Sequence, residues 1–136
     1  MKLDPKELPD KLIKRMSPKV REILKLKTAD EAALSQQIEL EKELQRLIGQ
    51  WLNRRQIEYI NPPMHKRSQL PEHWPDFTFS VNNKSFAIEA KIPPNKPNKG
   101  QLDMHERLSA YPNGWSVYVV YNLEDFIGVM RKNNVA

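Results

Sequence analysis

Residues 75–91 read PDFTFSVNNKSFAIEAK, and the architecture follows from that stretch. Phe77, Phe79 and Val81 alternate with Thr78 and Ser80, then Phe86 and Ile88 alternate with Ser85, Ala87 and Glu89. Period-2 alternation of aromatic and β-branched residues predicts two strands, and Asn82-Asn83 suits a tight turn because asparagine tolerates φ > 0. A two-residue turn there sets the register by counting. Val81 faces Lys84, Phe79 faces Phe86, Phe77 faces Ile88 and Asp76 faces Glu89. Lys91 shares the parity of Glu89 and projects from the same face. The hairpin thus sorts into an apolar side and a side carrying Asp76, Glu89 and Lys91 above small residues.

Directly opposed residues have Cβ atoms ~4.5–5.5 Å apart, and like charges there are destabilising. Two readings satisfy the facing carboxylates. A divalent cation suits them, since hard oxygen ligands fit Mg²⁺ or Mn²⁺. Alternatively, Lys91 neutralises the pair at a solvated strand end.

Pro75-Asp76 followed by Glu89-Ala90-Lys91 resembles the signature of the PD-(D/E)XK nuclease superfamily. Within it, the chain is most similar to the small VRR-NUC and Holliday-junction-resolvase-like enzymes, many of them carried by phages. Glu41-Lys42-Glu43-Leu44-Gln45 resembles the helix before the family's core, with Glu41 as the counterpart of its glutamate. Gln101 in GQLDMHERL matches the glutamine that opens the helix after the lysine. The likeness runs from about Gln36 to Arg131. It departs at His73, where these nucleases usually have a glycine that lets the backbone turn sharply or approach DNA closely.

The resemblance implies a restriction-endonuclease-like α/β core and a Mg²⁺- or Mn²⁺-dependent endodeoxyribonuclease leaving a 5′-phosphate and a 3′-hydroxyl. Asp76, Glu89 and the Ala90 main-chain carbonyl would hold the metal, with Glu41 holding it through water or binding a second ion. Lys91 would orient the attacking water and stabilise developing negative charge rather than act as the base. Gln101 would position Lys91, the water or the scissile phosphate. Branched DNA such as Holliday junctions is the expected substrate, and a homodimer the expected assembly. Two alternatives remain: a nicking or restriction-like endonuclease on linear duplex, and an inactive nucleic-acid-binding module.

With 136 residues the chain is long enough for one core, and its 39% hydrophobic fraction is low for a globular domain. The absence of cysteine excludes disulfides, zinc–thiolate sites and thiol chemistry. No long apolar run and no signal-peptide pattern are present, so a soluble, cytoplasmic protein without membrane association is expected, in a bacterial host cell or at its nucleoid. A net charge of +5 favours polyanionic partners, because lysines and arginines meeting phosphates release condensed counterions.

Residues 1–27 read as a basic helical arm, broken by Pro5, Pro9 and Pro18 and carrying nine lysines and arginines. Ser17 before Pro18 predicts an N-cap, with Val20, Ile23, Leu24 and Lys27 at helical spacing. DNA gripping, dimer contact and simple packing all fit this arm. The nuclease-like domain is expected to span 28–136. Thr28 and Glu31 form a capping-box pattern that opens a helix to about Arg54. Leu40, Leu44, Leu47, Ile48, Trp51 and Leu52 make its apolar stripe. At about 100° per residue, Glu41 projects between Ile48 and Leu52, whereas Glu43 and Glu39 point towards water.

A strand at 57–60 and a proline-rich basic loop at 61–75 follow. His65 and His73 lack the close-spaced partners a zinc site needs. Lys66 and Arg67 suit phosphate contact or an ordinary solvated loop, and Trp74 suits base stacking or packing. Residues 92–99 read as a stiff basic flap with Lys96 and Lys99 beside the site. A helix at 100–110 should bury Leu102 and Leu108. WSVYVVY at 115–121 predicts a strand in the middle of the sheet, and 123–131 a last helix with a fraying tail after it. The order predicts a mixed sheet flanked by helices.

Overall fold

The computed structural model describes residues 10–20 and 28–135. Contacts gather the chain into two compact units, Met1–Leu40 and Glu41–Ala136. In chain order the elements are α1 (Asp10–Arg15), α2 (Ala29–Arg54), β1 (Tyr59–Ile60), a 3-10 helix (Met64–Gln69), β2 (Phe77–Val81), β3 (Lys84–Ala90), α3 (Lys99–Ser109), β4 (Ser116–Val120) and α4 (Leu123–Lys132).

In the first unit the capping box forms as read. Glu31 N donates to Thr28 Oγ1 at 3.2 Å, and Thr28 N donates to Glu31 Oε2 at 3.3 Å. The Ala29 amide donates to both carboxylate oxygens of Asp10, at 3.0 and 3.1 Å. Ser17 Oγ accepts from Val20 N at 3.3 Å, capping a helical turn that starts at Pro18. Pro5, Pro9, Ile23, Leu24 and Lys27 lie outside the described residues.

The second unit is a mixed α/β fold with a four-stranded sheet, ordered β1-β2-β3-β4, flanked by helices. Asn82 and Asn83 both take positive φ, 53° and 63°, matching the right-handed twist of the strands they join. The resulting register is the counted one, with Phe77 opposite Ile88, Phe79 opposite Phe86 and Val81 opposite Lys84. Phe77, Phe79, Phe86, Ile88 and Ala90 form one buried face, against which α2 sets Leu44, Ile48, Trp51 and Leu52 and α4 sets Phe126 and Met130. Trp51 meets Phe126 edge to face at 5.2 Å between centroids. Each such side chain, fully buried, contributes about 1.5–3 kcal/mol.

Strand β3 pairs with β4 in parallel, which requires a crossover, and α3 supplies it. Met104 and Leu108 of α3 pack on Ala87 with Trp74, Trp115 and Val117 around them. The polar side of the hairpin is therefore roofed by a helix rather than open along its length.

Several expectations change. Leu102 is exposed, and Met104, His105 and Leu108 are the buried residues of α3. Residues six apart lie about 120° apart around a helix, so one face cannot bury both Leu102 and Leu108. Leu40 is also exposed, because the core that takes up this stripe begins at Leu44. Strand β4 has β3 as its single neighbour among the described residues, and its side chains are mostly half-buried; it is not central. Part of the 61–75 loop winds into the 3-10 helix, and the first strand shrinks to two residues.

The tail after α4 is tied down. Asn133 donates to Val129 O at 2.8 Å and Tyr118 Oη at 3.3 Å, Val135 N donates to Met130 O at 2.8 Å, and Asn82 Nδ2 donates to Asn134 O at 2.9 Å. Among the described residues no helix is long and apolar enough to cross a membrane.

Candidate functional site

The register of β2 and β3, carried one residue past Phe77 and Ile88, sets Asp76 opposite Glu89. Both are buried, at 6% and 2% exposure. Asp76 Oδ2 accepts from the Ala90 amide at 2.9 Å, and Oδ1 accepts from Arg67 Nη2 at 3.0 Å. Burial pushes the Asp76 carboxyl up to about 7, and the Glu89 charge pushes the same way. The Ala90 amide and the Arg67 guanidinium oppose that rise without cancelling it. Asp76 thus sits in a pocket where a second negative charge is costly.

Glu89 is gripped from two elements. Its Oε1 accepts from Gln101 Nε2 at 2.9 Å and lies 3.9 Å from Lys91 Nζ. Its Oε2 lies 3.7 Å from His105 Nε2. Neither of these last two atoms has a hydrogen-bond partner, although both are buried.

Glu41 reaches the same cluster from α2. Burial raises its carboxyl above the usual range; Lys91 opposes this, Glu89 adds to it and Arg67 opposes it. Those influences place Glu41 within electrostatic range of all three side chains. Glu43, two residues on, is exposed and bound to Arg46, whose hydrogen bond holds its carboxyl below the usual range. Of the two, Glu41 is the one turned towards this cluster, in the direction the helical angle gives it.

The start of α3 aims Gln101. Asn98 caps the helix, its Oδ1 accepting from Gln101 N at 2.8 Å, while Gln101 Oε1 accepts from Asn98 N at 2.9 Å. With Oε1 engaged by the cap, the amide nitrogen of Gln101 is left for Glu89. The loop before Asp76 is keyed to the same turn. His73 takes φ +66°, in the left-handed region that favours glycine over residues with a side chain. Its imidazole lies against Gly100, where a Cβ would stand 2.3 Å from His73 Nε2.

Asp76, Glu89, Lys91 and Gln101 therefore converge, with Glu41 in electrostatic range. The five side chains assigned to DNA contact do not form one group. Lys66, Lys96 and Lys99 are exposed. Arg67 turns onto Asp76, and Trp74 is half-buried, edge to face with Trp115 at 6.1 Å. The side chain of His65 lies outside the described residues. Ala90 is fully buried, with its amide committed to Asp76.

Two participants are not legible in the sequence. Arg67, expected to meet phosphate or to lie in a solvated loop, donates to Asp76 instead. His105 carries no motif of its own, and its place four residues after Gln101 on the same helix face is the one signal that could have found it.

Among the described residues no three His, Asp or Glu side chains stand together as a ready-made ligand group. The donor chemistry nevertheless fits a hard divalent cation. Two carboxylates are buried close together, one pushed up to about 7 by burial first and by its neighbour second, the other with an oxygen left without a partner. A cation favours the ionised form of both. Comparison with protein-family models, curated proteins and solved structures returned no match.

Proposed function

We propose that this protein is a metal-dependent DNA endonuclease of the PD-(D/E)XK type, acting on branched DNA. The observation that supports the reading is the convergence of Asp76, Glu89, Lys91 and Gln101 at the ends of β2, β3 and α3, with Glu41 in electrostatic range. An antiparallel hairpin followed by a helix and a parallel strand is compatible with a restriction-endonuclease-like core.

Asp76, Glu89 and the Ala90 carbonyl are the groups to hold Mg²⁺ or Mn²⁺, with Glu41 beside them. Such an ion, when bound, supplies charge neutralisation at the phosphate and a more acidic water. The chain's own groups do the rest. Lys91 places its ammonium beside Glu89 and stabilises negative charge building on the phosphate oxygens. Gln101 holds the Glu89 carboxylate in one orientation, and Arg67 and the Ala90 amide do the same for Asp76. Exposed Lys66, Lys96 and Lys99, together with the net charge of +5, suit a phosphate backbone.

The test is incubation with end-labelled four-way junction, flap and plain duplex DNA, in Mg²⁺, Mn²⁺ or EDTA, alongside Lys91→Ala. Metal-dependent cutting confined to branched substrates and lost in the variant is the expected result. Cutting of every duplex would replace branched DNA with linear duplex as the substrate. Tight binding with no cutting in any metal would overturn the enzyme reading.

A further inference from the structure

His105 Nε2 and Glu89 Oε2 face each other at 3.7 Å, both buried, neither with a hydrogen-bond partner. Two buried polar atoms left in that state have each lost water without gaining a replacement, which is unfavourable. The gap is too narrow for a bridging water, which needs hydrogen-bond distance to both sides. It closes to a normal hydrogen bond with a shift of under about 1 Å. His105 lies one turn beyond Gln101 on α3, and Gln101 already donates to the other oxygen of the same carboxylate at 2.9 Å. Two donors from one helix face thus address the two oxygens of Glu89.

We infer that His105 is a positioning residue: its Nε2–H donates to Glu89 Oε2 and, with Gln101, clamps the carboxylate in the orientation that cation binding requires. This rests on the metal-nuclease reading. Carboxylates that ligate metals are commonly held by such outer hydrogen bonds, and removing one costs 10–100-fold in metal affinity or activity. The clamp comes from the helix rather than from the strands carrying the carboxylates. Glu89 therefore keeps its orientation only while α3 stays docked through Met104 and Leu108.

The experiment uses the full chain with two readouts. Mn²⁺ affinity is measured by electron paramagnetic resonance for wild type, His105→Leu and His105→Gln, each checked for folding by circular dichroism. Proton occupancy of the His105 imidazole nitrogens is read by ¹⁵N nuclear magnetic resonance of the metal-free wild type. Expected are a proton on Nε2, a 10–100-fold loss of Mn²⁺ affinity in His105→Leu, and recovery in His105→Gln, whose amide can also donate. A bare Nε2, or a folded His105→Leu that binds Mn²⁺ as wild type does, overturns the inference. Loss in both folded variants overturns it as well, since it would make the imidazole itself a ligand. Absence of Mn²⁺ binding by wild type overturns the metal-nuclease reading and the clamp with it, a result distinct from all the others.

Discussion

Burial and the neighbouring Glu89 charge hold the Asp76 carboxyl at about 7, far above an ordinary aspartate. The folded state therefore keeps a proton between about pH 4 and about pH 7 that the unfolded chain has released. Stability should fall as pH rises through that window and level off above it. Asp76→Asn keeps an oxygen for the Ala90 amide but cannot ionise. It should flatten the decline, measured by urea unfolding at several pH values, and an unchanged slope would assign the effect to another group. The same pocket sets the expectations for turnover. Asp76→Ala, Glu89→Ala and Lys91→Ala should each abolish detectable cleavage with DNA affinity largely intact, read in parallel nicking and gel-shift assays. Glu41→Ala should impair it, whereas Glu43→Ala should be near neutral, because Glu43 points to water and engages Arg46. A Glu43 variant as inactive as Glu41→Ala would contradict the helix geometry. Glu41 was legible because helical angle is a local property. The Arg67–Asp76 pair was not, because a basic residue in a proline-rich loop reads alike whether it turns outward or inward.

At the scale of elements, the hairpin and the helix caps follow from chemistry within a few residues: positive φ at Asn82 and Asn83, a Thr28–Glu31 box, an Asn98–Gln101 box. The junction between the loop before β2 and the start of α3 is different, since His73 and Gly100 meet only when the chain is folded. Alanine is favoured over glycine in a helix by roughly 0.5–1 kcal/mol. At Gly100 that gain meets the His73 ring, which must move aside. Gly100→Ala should therefore be neutral or destabilising in wild type and stabilising in the His73→Gly background, as measured by a double-mutant cycle in denaturant. Equal effects in both backgrounds would show that the contact has no energetic consequence. The misplacement of β4 has the same origin. A continuous apolar run describes a strand covered on both faces, and it cannot say how many strands lie beside it.

Across the whole molecule, Asp76 and Glu89 are buried beside Arg67 and Lys91 with Glu41 in electrostatic range, an arrangement that a divalent cation should stabilise. Mg²⁺ at about 100 times its dissociation constant should add about 2.7 kcal/mol to the unfolding free energy. The gain should be larger near pH 8 than near pH 5, because Asp76 must release its proton first. Thermal unfolding with Mg²⁺ or EDTA at both pH values checks this, and a gain independent of pH would remove Asp76 from the ion's ligands. By itself the sequence determined the hairpin and its register, the helix caps, the choice of Glu41 over Glu43 and the side of the sheet bearing Asp76, Glu89 and Lys91. Each depends on periodicity or turn chemistry, whose causes lie within a turn or two of chain. Only the tertiary structure decided that Arg67 covers Asp76, that His105 faces Glu89 from the same helix as Gln101, that α3 roofs the polar face, and that residues 133–135 are anchored. Those contacts join distant segments, and the burial that shifts Asp76 is a sum over everything packed around it, which no single stretch of chain encodes.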